Sequence, residues 1–127
     1  MKIQLAVVGA HLRGQPLNHQ LIELGAAFVR QTLTAPRYRL FALANTSPPK
    51  PGMIRSEKGA SIEIEIWELA PAEFGAFVAA IPSPLAIGSV ELASGGWVKG
   101  FLCEEVAIGG AREITSFGGW RAYLASL

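Results

Sequence analysis

A single cysteine, Cys103, stands among 127 residues, which excludes an internal disulfide and any multi-cysteine metal centre. The two histidines would need carboxylates beside them to complete a zinc site, and no spacing in the chain offers that arrangement. An excess of either charge is also missing. Eleven basic residues against ten acidic ones leave a net charge of +1, without the concentrated basic face that binds a phosphate backbone, so nucleic acid is not an expected partner. Long apolar runs are absent as well. Arg13, Arg30, Lys50 and Glu63 hold them below the ~20 residues needed to cross a bilayer, and no membrane partner is expected. Met1 leads straight into a strand pattern with no apolar region and small-residue cleavage site, so a cytoplasmic protein is expected. Half of the residues are hydrophobic and only 17% charged, a balance that favours a packed core over disorder. The length predicts one domain over residues 1–127 that buries roughly two-thirds of its extended-chain surface. A homodimer is compatible with this composition, but the sequence marks no surface for it.

Ile3 to Val8 is a nearly continuous apolar run, as expected of a central strand covered on both faces. Pro16 suits a first helical position, and Leu17, Leu21, Leu24 and Phe28 recur at helical spacing, which predicts a helix over about 16–33 with Gly25 tolerated inside it at ~1 kcal/mol. Tyr38 to Ala44 reads as a strand, and Thr46 to Gly52, with three prolines, as a surface loop. From Ser61 to Glu68 alternation is strict: Ile62, Ile64 and Ile66 share one face, with Glu63, Glu65 and Trp67 on the other, which reads as a solvated sheet surface. Pro71 opens a short helix carrying Phe74, Phe77, Val78 and Ile81. Ile87 to Leu92 and Trp97 to Glu104 flank the turn Ala93-Ser94-Gly95-Gly96 and predict an antiparallel hairpin. After an irregular stretch, Trp120, Tyr123, Leu124 and Leu127 predict a terminal helix. Cys103, beside Phe101 and Leu102, reads as a buried strand thiol rather than a nucleophile.

The candidate site is the turn Gly9-Ala10-His11-Leu12-Arg13-Gly14-Gln15-Pro16. It joins a buried strand to a helix start, where unpaired N–H groups and the helix dipole favour an anion. Gly9 and Gly14 have the spacing of a phosphate loop, but Gln15-Pro16 replaces the Lys-Ser/Thr pair such a loop requires. His11 is the one side chain of the turn that titrates near neutrality. It either moves a proton or ties the loop down through backbone carbonyls. Asn18, His19 and Gln20 add ligand hydrogen bonds or cap the helix. Glu104 and Glu105 are adjacent on a strand, so at most one of them faces a cavity. Arg121, after Gly118-Gly119-Trp120, offers a bidentate partner for a substrate carboxylate.

Val7-Val8-Gly9-Ala10-His11-Leu12 followed by Gly14-Gln15-Pro16-Leu17-Asn18 resembles the opening of the C-terminal domain of allophanate hydrolase. Further matches follow in family order at 51–55, 62–67, 82–88 and 100–104, and at Ile114-Thr115-Ser116-Phe117-Gly118-Gly119-Trp120-Arg121 continuing to Leu124. The family lies in the gamma-glutamylcyclotransferase-like, or AIG2-like, group. The resemblance therefore implies an α+β fold, a small mixed β-barrel with flanking helices and a pocket at the turn after the first strand. The cyclotransferases use an acid/base glutamate where this chain has Gly75-Ala76-Phe77-Val78-Ala79-Ala80 and no carboxylate. The allophanate hydrolase domain is associated with decarboxylating N-carboxycarbamate, the product of an amidase domain, and a free-standing relative without that domain is expected. The resemblance implies a cofactor-free, decarboxylase-like enzyme for a small anionic metabolite, with His11 handling the proton. Gly9, Ala10, Leu12, Gly14, Gln15, Asn18, Glu104 and Arg121 are then the candidate substrate-binding residues. Alternatives are cyclotransferase-like cleavage of gamma-glutamyl compounds, or a noncatalytic module that pairs with a separate amidase subunit.

Overall fold

The computed structural model describes residues 1–127. The apolar run at the N-terminus forms β1 (Ile3–Val7), and its Leu5, Ala6 and Val7 are buried, as a strand with neighbours on both edges requires. The alternating segment forms β5 (Glu63–Leu69), antiparallel to β1 with Leu5 opposite Trp67. On the other edge of β1 lies β7 (Trp97–Cys103), which is parallel to it and forms the expected hairpin with β6 (Leu85–Glu91). Close approach explains Gly100: a Cβ there would lie 2.8 Å from the Ala6 Cβ and 2.9 Å from the Val90 Cγ2.

The helix expected over 16–33 is not formed. Gly25 takes φ +74, a left-handed conformation that ends α1 (Asn18–Glu23) and turns the chain into β2 (Ala27–Leu33). Within β2, which pairs with β5, Phe28 lies edge-on to Trp67 instead of continuing a helical stripe. The large sheet thus has the order β2-β5-β1-β7-β6. A second sheet contains β3 (Tyr38–Ala42), β4 (Pro51–Arg55) and the short β8 (Arg112–Glu113), with β3 in the middle. Pro51 and Gly52, expected in a loop, therefore begin a strand. Thr34 and Leu92, just beyond the two edge strands of the large sheet, form an isolated bridge. The sheet is a barrel drawn together at that point rather than a closed one.

Pro71 starts α2 (Pro71–Ala79), as a residue without an N–H suits a first helical position, and Phe77 buries its face of the helix. Gly118, at φ +79, turns the chain toward α3 (Trp120–Ala125). A cluster of 21 buried residues, among them Leu5, Tyr38, Ile64 and Trp120, forms the core. The charged face of β5 is not solvated: Glu65 and Trp67 are both buried, covered by Arg13, Arg121 and Phe28. No helix is long and apolar enough to cross a membrane.

Candidate functional site

The turn after β1 opens onto a cavity of about 550 Å³ between α1, α2, the segment before β4 and the start of β6. His11, Gln20 and Lys50 supply polar groups to its wall, and Phe77, Leu85 and Phe101 are among its apolar side chains. His11 is 8% exposed. Its ring stacks on Phe101 at 5.0 Å between centroids and meets Phe77 edge-on at 5.1 Å. Its Nε2 donates to Gln20 Oε1 at 2.7 Å, which leaves Nδ1 as the nitrogen free to take a proton. Burial pushes the imidazole below its usual value. The Gln20 hydrogen bond opposes that shift, while Lys50 and His19 add to it.

Beside His11 a crevice of about 20 Å³, room for about one water, is lined by Gly9, Ala10, Lys50 and Pro51. His11 and Lys50 border both spaces, so the polar end of the cavity lies where the turn after β1 meets the segment leading into β4. Lys50 is held there through its backbone: its N–H donates to Thr46 Oγ1 at 3.0 Å, and its carbonyl accepts the Leu43 N–H at 3.0 Å. The residue that follows, Pro51, lies so close to Gly9 that a Cβ built on Gly9 would clash with the Cδ and Cγ of the proline ring.

Of the residues singled out from the sequence, His11 and Gln20 line the cavity and Gly9 and Ala10 line the crevice. The others lie elsewhere. Leu12 is fully buried in the core, and Gly14, at φ +81, is exposed. The Gln15 N–H donates to the Leu12 carbonyl. Asn18 Nδ2 donates to the His11 carbonyl at 2.8 Å, so it shapes the turn from behind. Glu104 lies beyond the end of β7, exposed, and accepts a hydrogen bond from Ser83 Oγ. Arg121 is not free for a substrate: its guanidinium donates to Glu63 Oε1 at 3.0 Å, Glu65 Oε2 at 2.7 Å and the Arg13 carbonyl at 2.9 Å.

The helix-start anion site is corrected on the same grounds. The amides of Leu12, Arg13, Gln15 and Leu17 already donate to protein acceptors, and α1 begins only at Asn18. Lys50 is the one lysine or arginine in the cavity wall, and Glu23 its one carboxylate. Lys50, expected in a surface loop, and Phe77 and Phe101, not among the candidate site residues, thus line the cavity. Glu23, also in the wall, pairs with His19 Nδ1 at 3.0 Å on the exposed side of α1. From α2 and its C-cap the wall receives Ala76, Phe77 and Ala80, and no carboxylate.

Residues 3–125 match the family described as allophanate hydrolase C-terminal domain. The chain is 46% identical over 130 residues to the urea amidolyase of Saccharomyces cerevisiae, covering 98% of this chain but 7% of that protein. Allophanate hydrolase of Kluyveromyces lactis, a solved structure, superposes with a TM-score of 0.95 at 43% identity, over 99% of this chain and 21% of that one. A uropathogenic E. coli-specific protein superposes at 0.91 with 40% identity, over 100% of this chain and 98% of that one. The fold alone is shared with a gamma-glutamyl cyclotransferase, at a TM-score of 0.61 and 12% identity over 89% of this chain and 70% of that one.

Proposed function

Because this chain belongs to the allophanate hydrolase C-terminal domain family, we propose that it decarboxylates a small urea-derived compound such as N-carboxycarbamate in the His11 cavity. The observation that carries this reading is the shared position of His11 and Lys50 at the polar end of that cavity. The Lys50 ammonium attracts and orients a carboxylate. The second carboxylate then leaves as carbon dioxide: its carbon–nitrogen bond breaks, the electron pair stays on nitrogen, and the His11 imidazolium protonates that nitrogen to give carbamate. A dianion beside the ring favours its charged form, opposing the burial and the Lys50 charge that lower its pKa.

Release of labelled carbon dioxide from freshly generated N-carboxycarbamate tests the proposal. Loss of a general acid lowers a rate by about 10²–10⁴-fold, so His11→Ala should fall in that range. Equal rates for this variant and the wild type would sink it. A second reading, pairing with a separate amidase, is favoured by the small share of its relatives' length that this chain spans. Co-purification with an amidase whose activity depends on the chain but not on His11 would select that reading. Cyclotransferase-like cleavage has only the shared fold in its favour, because the α2 wall provides no carboxylate. Release of pyroglutamate from a gamma-glutamyl compound would revive it.

A further inference from the structure

A dicarboxylated ammonia fills only a small part of this cavity. Spaces of 300–1,000 Å³ commonly enclose ligands of drug-like size, and about 550 Å³ lies well within that range. The polar groups are also unevenly placed. His11 and Lys50 gather at the end that adjoins the Gly9–Ala10 crevice, whereas α2 supplies Ala76, Phe77 and, just past its end, Ala80 and Ile81. Leu17 and Leu24 line the α1 side together with Gln20 and with Glu23, whose carboxylate pairs with His19 on the exposed face of the helix. The space therefore has one cation, Lys50, at its polar end and a body that Leu17, Leu24, Ala76 and Ile81 make largely apolar. Ala76 and Ala80 are exposed and one helical turn apart, so the body of the cavity stays open because these side chains are small.

We infer that this cavity binds an amphiphilic monocarboxylate, with the carboxylate at Lys50 and His11 and an alkyl or aryl chain along Leu17, Leu24, Ala76 and Ile81. Charge complementarity at one end and apolar lining at the other set this class of ligand. Such a compound either competes with the smaller dianion or is itself the preferred substrate type, as an N-substituted carbamate. The inference rests on the His11 cavity being the working site, but not on the decarboxylation step.

Calorimetric titration of the full chain with butanoate, hexanoate and octanoate tests it without any turnover. Affinity should rise about three- to fourfold for each methylene that enters the apolar body. Octanoate should bind at least about tenfold more tightly than octan-1-ol, because the alcohol gives Lys50 no charge to pair with. Ala76→Trp fills the apolar body from an exposed helix position and should flatten the chain-length dependence; its far-ultraviolet circular dichroism checks that it folds. Should that variant fail to fold, shifts of the Leu17 and Leu24 methyl signals of the wild type on adding octanoate locate the chain instead. A flat affinity series, equal binding of acid and alcohol, or octanoate that leaves these methyl signals unmoved would each overturn the inference. Chain-length dependence in a protein that does not decarboxylate N-carboxycarbamate would uphold it while removing the proposed reaction.

Discussion

Arg13 grips Glu65 twice, its backbone N–H donating to Oε1 and its side-chain Nε to Oε2, each at 3.0 Å. The same carboxylate accepts Arg121 Nη2 at 2.7 Å and Trp67 Nε1 at 3.1 Å. One buried carboxylate on β5 thus fastens both the turn that carries His11 and the terminal helix α3.

Removing that charge while keeping the shape should be costly. Breaking a buried ion pair from one side destabilises by about 3–5 kcal/mol, and here the arginines are partly in water, so Glu65→Gln should lose about 2–3 kcal/mol. Urea denaturation measures this, and a midpoint unchanged from the wild type would contradict the clamp.

Burial alone would raise the Glu65 pKa, but the Arg13 amide, the two guanidiniums and the Trp67 indole outweigh it and hold the carboxyl below its ordinary 4.5. Glu113, paired with Arg39 and bonded by Thr115, is lowered to about 2. A depressed carboxylate stabilises the fold above its unfolded pKa, and this contribution fades as pH falls through the folded value. Stability should therefore decline from about pH 4.5 downward, and less steeply in Glu65→Gln. His11 adds a loss of the same sign beginning near its unfolded value of 6.5, because the unfolded chain takes up that proton first. Thermal midpoints measured against pH would show both slopes.

Malonate, a stable dicarboxylate, should raise the titration midpoint of His11 by offsetting burial and the Lys50 charge. Binding should then take up a proton and tighten as pH falls between the free and bound midpoints. Nuclear magnetic resonance of the imidazole signals follows this directly. A midpoint that malonate leaves in place would separate His11 from the anion.

Gly9→Ala should disturb stability and ligand binding together, because the new methyl group needs the volume already occupied by the Pro51 ring. Overpacking of this kind costs about 1–3 kcal/mol. Gly14→Ala, in open space, would be strained only by its left-handed backbone and should leave affinity for malonate unchanged. Comparing malonate affinity in the two variants tests whether the Gly9–Pro51 contact sets the site.

Much of the scaffold was legible because its signals are local. The apolar run of β1, the isoleucine alternation of β5, the glycine-rich turn between β6 and β7, and the prolines around α2 all mark their elements through short-range chemistry. The 16–33 segment misled because leucine spacing fits a helix, while β2 is stabilised by pairing with β5, an interaction between residues far apart in sequence. His11 could be picked out by its titration range. Lys50 could not, since its place in the cavity depends on the second sheet docking against the turn after β1. Glu65 likewise looked solvent-facing until Arg13 and Arg121, contributed by opposite ends of the chain, closed over it.

The contact of Pro51 with Gly9 is one of several that join the two sheets, and it lies at the site. One sheet brings the imidazole, and the other brings the ammonium on its leading segment. Any slippage between the sheets changes the spacing of acid and anchor, so substitutions buried in the three-stranded sheet, remote from any ligand, will register as altered recognition.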